Sequence, residues 1–219
     1  TEMLGNMFEV SMAMQSMSES VLVNIKRSNI KLDHMVEINN DLRKQGRVTA
    51  TELIVPLPGE TKESFINGLN NVINSGVSRV ITYTLMMLHG THFKLPNYRK
   101  QFKYLTKFRI VPLNFGEYDG QKIFDYEEAG VGTKDLSFDD YLNIRVLALF
   151  VETLHNGKPF EEFFKYAKFY NIQAATLLQI LYDNLSEAPK NVQSIVQEFL
   201  NETQSELWDT EKDLLDFYN

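Results

Sequence analysis

The chain has 219 residues, 43% of them hydrophobic and 23% charged, with no cysteine and a formal net charge of −7. That length accommodates one large domain or two small ones around a real core, and zero cysteine excludes disulfides, thiolate zinc sites and cysteine-ligated clusters within these residues. No apolar run approaches the ~18 residues of a membrane span, and the start TEMLGNMFEV lacks a signal-peptide pattern, so no membrane association and a cytoplasmic location are expected.

The charge is unevenly spread. Residues 1–112 carry 14 Lys+Arg against 9 Asp+Glu, whereas residues 113–219 carry 8 against 20. The first part would attract an anionic ligand or partner, and the second reads as a solvated acidic surface; two ordinary surfaces of different composition explain the split equally well. No Lys/Arg stripe with interleaved aromatics points to nucleic acid.

In chain order, Phe8 to Gln15 has strand character. Ser18 suits the N-cap of a short helix through Lys26, with Val21, Leu22 and Ile25 at helical spacing. A second helix is predicted from Lys31 to Lys44, closed by Gly46. Val48 to Leu57 is the next strand, and it ends in a Pro58-Gly59 turn. Thr61 then caps a helix whose Phe65, Ile66, Leu69, Val72 and Ile73 repeat at helical spacing, and Gly76 ends it. Val77 to Leu88 is a long β-branched strand. This β-α-β-α-β order predicts parallel strands with right-handed crossovers. Three strands make a small parallel sheet, so the chain is expected to begin in the middle of a barrel or doubly wound sheet, as a fragment.

The pattern changes near Phe108. Two extended stretches flank Asp119-Gly120, a common hairpin signal. Gly130 to Thr133 reads as a flexible joint. Helices follow at about Ser137–His155, Pro159–Tyr170, Ile172–Leu185 and Lys190–Asn201, with a terminal segment that includes Trp208.

The strand-to-helix junction Glu52 to Phe65, ELIVPLPGETKESF, is a candidate site on general grounds, because ligands of α/β sheets gather where strand C-termini meet helix N-termini. This run resembles the fifth-strand segment of radical S-adenosylmethionine enzymes. Ser11 to Ile30 (SMAMQSMSESVLVNIKRSNI) is similar to their fourth strand and helix, and Tyr83 to Phe93 (YTLMMLHGTHF) to the sixth-strand "L.GT" segment of the cobalamin-dependent subgroup. SFDDYL (Ser137 to Leu142) and NGKPFEEFFKY (Asn156 to Tyr166) resemble that subgroup's C-terminal helices. Pro56 stands where many relatives have Gly.

The resemblance implies an α/β fold: the second half of a partial (β/α) TIM-like barrel over residues 1–112, a hairpin and linker over 113–134, and a mainly helical C-terminal domain over 135–219. It also implies S-adenosylmethionine as cofactor, with a [4Fe–4S] cluster and cobalamin in the parent protein and a small-metabolite substrate, with methyl transfer as one reaction. The cluster-binding cysteines of the family would lie upstream of Thr1, so this chain alone cannot hold the cluster and is expected to be inactive as it stands. By the resemblance, Gln15 and Ser16 are ribose-side contacts, Glu52 faces the barrel interior near the cofactor, and Leu88 with Gly90 lies near the adenine.

Plainer readings stand beside these. Glu52 is a carboxylate in an apolar strand and needs a partner, which Arg47 or Arg27 would supply. Gln15 and Ser16 fit a strand-end turn. Glu60 and Glu63 read as first-turn acids on the helix dipole, and Arg27 as a cover for a helix end. His34, His89, His92 and His155 show no metal-ligand spacing, although by the resemblance His89 lies in the loop that would face substrate or cobalamin. GVGT at Gly130 to Thr133 is too short for a phosphate loop, and no hydrolase motif occurs. Met12, Met14 and Met17, like Phe160, Phe163, Phe164 and Tyr166, read as packing residues. The alternative to an enzyme part is a half-barrel assembly module that dimerises, or recruits another chain, through an open sheet edge.

Overall fold

The computed structural model describes residues 10–218, so Phe8 and Glu9 of the first expected strand lie outside the described residues. The chain runs β1 (Val10–Gln15), α1 (Glu19–Asn24), α2 (Leu32–Lys44), β2 (Thr49–Val55), α3 (Lys62–Asn74) and β3 (Arg79–Thr84). α4 (Pro96–Phe102) follows, then β4 (Leu105–Tyr118) and β5 (Gln121–Gly132). The remainder is α5 (Phe138–Phe150), α6 (Glu161–Phe169), α7 (Ala174–Asp183), α8 (Lys190–Ser205) and α9 (Glu211–Tyr218). α4 was not foreseen; Pro96 at its first position marks its start.

Local chemistry sets the boundaries. At α3, Ser64 N–H donates to Thr61 Oγ1 at 3.1 Å and Thr61 N–H to Ser64 Oγ at 2.9 Å, a reciprocal capping box. Gly46 and Gly76 follow α2 and α3 with φ of +68° and +83°, the left-handed position that suits glycine. Ser18, by contrast, makes no side-chain cap bond to α1. α5 continues into a single π-helical turn, Val151–His155.

The three parallel strands lie in the order β1-β2-β3, with Ala13 opposite Glu52 and Glu52 opposite Ile81. Among the described residues this is an open sheet of mixed α/β architecture, not a closed barrel. One face supplies Met14, Leu53, Val55 and Val80 to the main core, where they meet Met35 of α2 and Phe65, Leu69 and Val72 of α3. The same core extends through Ala129 and Val131 of β5 to Ile144 and Leu147 of α5, Leu178 of α7 and Val196 of α8. Residues from all three sequence segments therefore share it.

β4 and β5 form a long antiparallel hairpin, and Asp119 and Gly120 both take positive φ (52° and 77°) at its turn, as the sequence predicts. Gly130 to Thr133 is not a flexible joint. Gly130, Val131 and Gly132 are buried in β5, and Gly130 N–H donates to Leu85 O at 2.8 Å while Met87 N–H donates to Glu128 O at 2.8 Å. The hairpin thus adds antiparallel pairing beyond the end of β3. A side chain at Gly130 would sit 3.3 Å from Leu85, so the close approach favours glycine. Glu128 receives Lys94 at 2.5 Å and Arg99 at 2.6 Å, tying α4 to the hairpin. Burial alone would raise the pKa of Glu128, but these hydrogen bonds outweigh it and hold it at about 2.

Asn156 closes another part of β3's edge. Its side-chain amide accepts from Val80 N–H at 3.0 Å and donates to Val80 O at 2.9 Å, imitating a neighbouring strand. The β3 edge is thus covered at these points, which leaves β1 as the sheet's other edge. Among the described residues, no helix is long and apolar enough to cross a membrane.

Candidate functional site

The C-terminal ends of β1 and β2 converge on a buried polar knot. β1 ends at Gln15, half-buried with φ 64°, after a register shift between Ala13 and Gln15. Ser16 follows and is buried. β2 ends at a cis Val55–Pro56 bond, and Leu57 to Gly59 makes the turn into α3. Gly59 has φ +86°, and a side chain there would meet Asn24 Nδ2 at 2.7 Å. Glycine therefore lets Asn24 donate to Pro58 O at 2.8 Å.

Glu60 is the centre of the knot. Its side chain is 1% exposed, accepts from Ser16 Oγ at 2.5 Å and also accepts from Ser64 Oγ. Burial raises its pKa above the ordinary 4.5, while the two hydroxyl donors act in the opposite sense. Expected as a first-turn acid on the helix dipole, Glu60 precedes the N-cap Thr61 and joins β1 to α3 instead; Glu63 alone occupies the first turn. Asn29 Nδ2 donates to Ser16 O at 2.6 Å, and Tyr98 OH to Asn24 O at 2.9 Å, so α4 braces the same corner.

Glu52 stands apart from this knot. Leu53 and Val55 point to the core, so alternation places Glu52 and Ile54 on the other face of β2. Ala13, Ile81 and Tyr83 share that face by register. It stays half-open: Glu52, Ile54 and Ile81 are half-buried, and Tyr83 is 47% exposed. A small cluster of Val21, Leu57, Leu85 and Met87 packs against Ile54 and covers only the strand C-terminal end. Neither expected partner neutralises Glu52. The Arg27 guanidinium donates to Ala13 O at 3.1 Å while its backbone N–H donates to Leu22 O at the end of α1, and the Arg47 Nε has no hydrogen-bond partner among the described residues.

The remaining candidates are dispersed. Leu88 is 51% exposed, and Gly90, with φ +79°, lies in the turn that Thr91 closes by donating to Leu88 O at 2.7 Å. Ser16 is brought near Gln15 but its hydroxyl is engaged by Glu60. His89 is exposed, and His92 Nε2 lies 3.2 Å from Lys26 Nζ. Among the described residues no group of three His, Asp or Glu side chains is placed to hold a metal ion. Met14 is core and Met12 and Met17 pack against it, as expected. Of the expected packing aromatics, Phe164 packs against the core, but Phe160, Phe163 and Tyr166 are at least half-exposed.

Sequence reasoning missed the Ser16–Glu60–Ser64 knot. The available signal was Thr61 followed three residues later by Ser64, a capping pair that puts the Ser64 hydroxyl beside the preceding residue. No family model matches this chain, and no curated protein matches it either.

Proposed function

We propose that the half-open sheet face binds S-adenosylmethionine, and that the chain is the C-terminal part of a radical S-adenosylmethionine enzyme acting on a small metabolite with cobalamin. The observation that carries this reading is Glu52, midway along β2 on a half-open face with Ala13, Ile81 and Tyr83, and without an ion pair among the described residues. A parallel sheet is ordinarily buried on both faces, and the half-buried Glu52 carboxylate, with no cation beside it among the described residues, keeps acceptor capacity for a ligand laid on the open face. The fit extends to the cofactor's organic part only. Glu52 would accept from its ammonium or hydroxyl groups, Gln15 would offer an amide at the end of β1, and Leu88 and Gly90 would lie toward the adenine. Ser16 orients the end of β1 through Glu60. The residues do not fit an iron–sulfur cluster, because the chain has no cysteine. Reductive cleavage is therefore assigned to the parent protein, and no step is assigned to this chain.

Calorimetric titration with S-adenosylmethionine tests the reading. Saturable binding that Glu52→Ala and Gln15→Ala each weaken about tenfold is the expected result, the scale of one hydrogen bond to a charged group. No binding, or binding indifferent to both substitutions, defeats it. A second reading, an assembly module pairing through the β1 edge, is favoured by the position of β1 at the border of the sheet. Concentration-dependent dimerisation without cofactor binding would select it.

A further inference from the structure

A cleft of about 650 Å³ opens at the other end of the α/β layer, where α2 and α3 finish and α6 turns into α7. Its volume is within the range of small-molecule sites, roughly 300–1,000 Å³. α2 presents Asn40 and Arg43 to it, and α6 presents Glu161, Phe164, Lys165 and Lys168, spaced so that one helix face lines the wall. Lys158 completes the set.

The charge is out of keeping with its surroundings. Residues 113–219 carry only 8 Lys+Arg against 20 Asp+Glu. Yet Lys158, Lys165 and Lys168 all line this one cleft, joined by Arg43 from α2 and opposed in the lining by Glu161 alone. Glu161 Oε1 lies 3.3 Å from Lys165 and 3.8 Å from Lys158, and Glu162 takes Lys165 at 2.8 Å. Two carboxylates against four cations leave a surplus of positive charge. Helix dipoles account for Arg43 and Lys168, in the last turns of α2 and α6. They do not account for Lys158, which precedes α6, where a cation is unfavourable. Behind the cations, Ile73, Val77 and Phe164 supply an apolar wall.

We propose that this cleft binds a small organic phosphate, its dianion held among Arg43, Lys158, Lys165 and Lys168 and its apolar part laid on Phe164, Ile73 and Val77. A phosphate matches the surplus better than a carboxylate because it brings close to two negative charges and three acceptor oxygens. Glu161 competes for the same cations. The site is independent of the sheet face, so the two readings succeed or fail separately.

The probes are phenyl phosphate and inorganic phosphate, titrated against the intact chain at low ionic strength with amide and aromatic resonances followed by NMR. Phenyl phosphate is expected to bind saturably and more tightly than inorganic phosphate. Lys158→Gln and Lys168→Gln should each weaken it about tenfold, the scale of a charge-assisted hydrogen bond, and Glu161→Gln should tighten it. Lys168 is exposed, so its variant keeps the melting midpoint and a loss of binding there is not a loss of fold. Absence of saturable binding, or affinity unchanged across all three variants, overturns the proposal. Equal affinity for both probes overturns the assignment of the apolar wall.

Discussion

Glu60 concentrates the chemistry of the strand ends in one side chain. It is desolvated, and among the described residues the hydroxyls of Ser16 and Ser64 offset that cost. Because its folded-state pKa is raised above 4.5, the folded protein holds the Glu60 proton more tightly than the unfolded chain does. The resulting stability is complete below 4.5 and is lost as pH rises through the folded value. Glu60→Gln removes this dependence while keeping one acceptor and one donor for the serines. Denaturant midpoints should therefore show the unmodified protein losing ground to Glu60→Gln as pH climbs from about 4.5 toward neutrality; a difference that stays constant with pH contradicts the assignment. Glu60→Ala removes the carboxyl that accepts from both hydroxyls and should cost about 1–3 kcal/mol near pH 4.5 and less toward neutrality.

At the scale of the element, β3 is shaped as much by what covers its edge as by its own sequence. Val80 has its outward N–H and C=O satisfied by the Asn156 amide, and the segment after β3 pairs with β5. Asn156→Ala strands both backbone groups in a buried place, with an expected cost of about 2–3 kcal/mol by urea denaturation. Loss of that cover also exposes a strand edge, so the variant should self-associate more at high concentration. A cost below about 0.5 kcal/mol, the range of ordinary surface substitutions, would show the amide to be dispensable.

Across the whole molecule, one hydrophobic cluster runs from Met14 in β1 to Val196 in α8, with Leu147 of α5 fully buried within it. The sheet and the helical segment should therefore unfold together. Trp208, the single tryptophan, exchanges two backbone hydrogen bonds with Phe108 of β4 (2.7 and 2.8 Å), so its fluorescence reports on the hairpin. Its transition should coincide with that of far-ultraviolet circular dichroism, and Leu147→Ala should shift both together by about 2–5 kcal/mol. Two separated transitions would show that the shared core does not couple the segments.

Most elements were legible in the sequence because their signals are local. Thr61 caps a helix, Gly46 and Gly76 end helices at positive φ, and Asp119-Gly120 turns a hairpin, each through backbone geometry confined to a few residues. The strand-to-helix junctions at the C-terminal ends of β1 and β2 were legible as a place, and Glu52 as a carboxylate within an apolar strand. The partners were not. That Glu60 is buried between Ser16 and Ser64, that Asn156 serves as an edge for β3, and that Gly130 lies inside a strand all depend on groups distant in sequence meeting in space. The basic cleft is of the same kind: Arg43 and Lys158 to Lys168 lie on opposite sides of the chain's charge divide, and only the packing of α6 and α7 against the ends of α2 and α3 brings them together. Local steric and hydrogen-bonding preferences determined where strands and helices begin and end, whereas burial and long-range pairing decided which polar groups became structural.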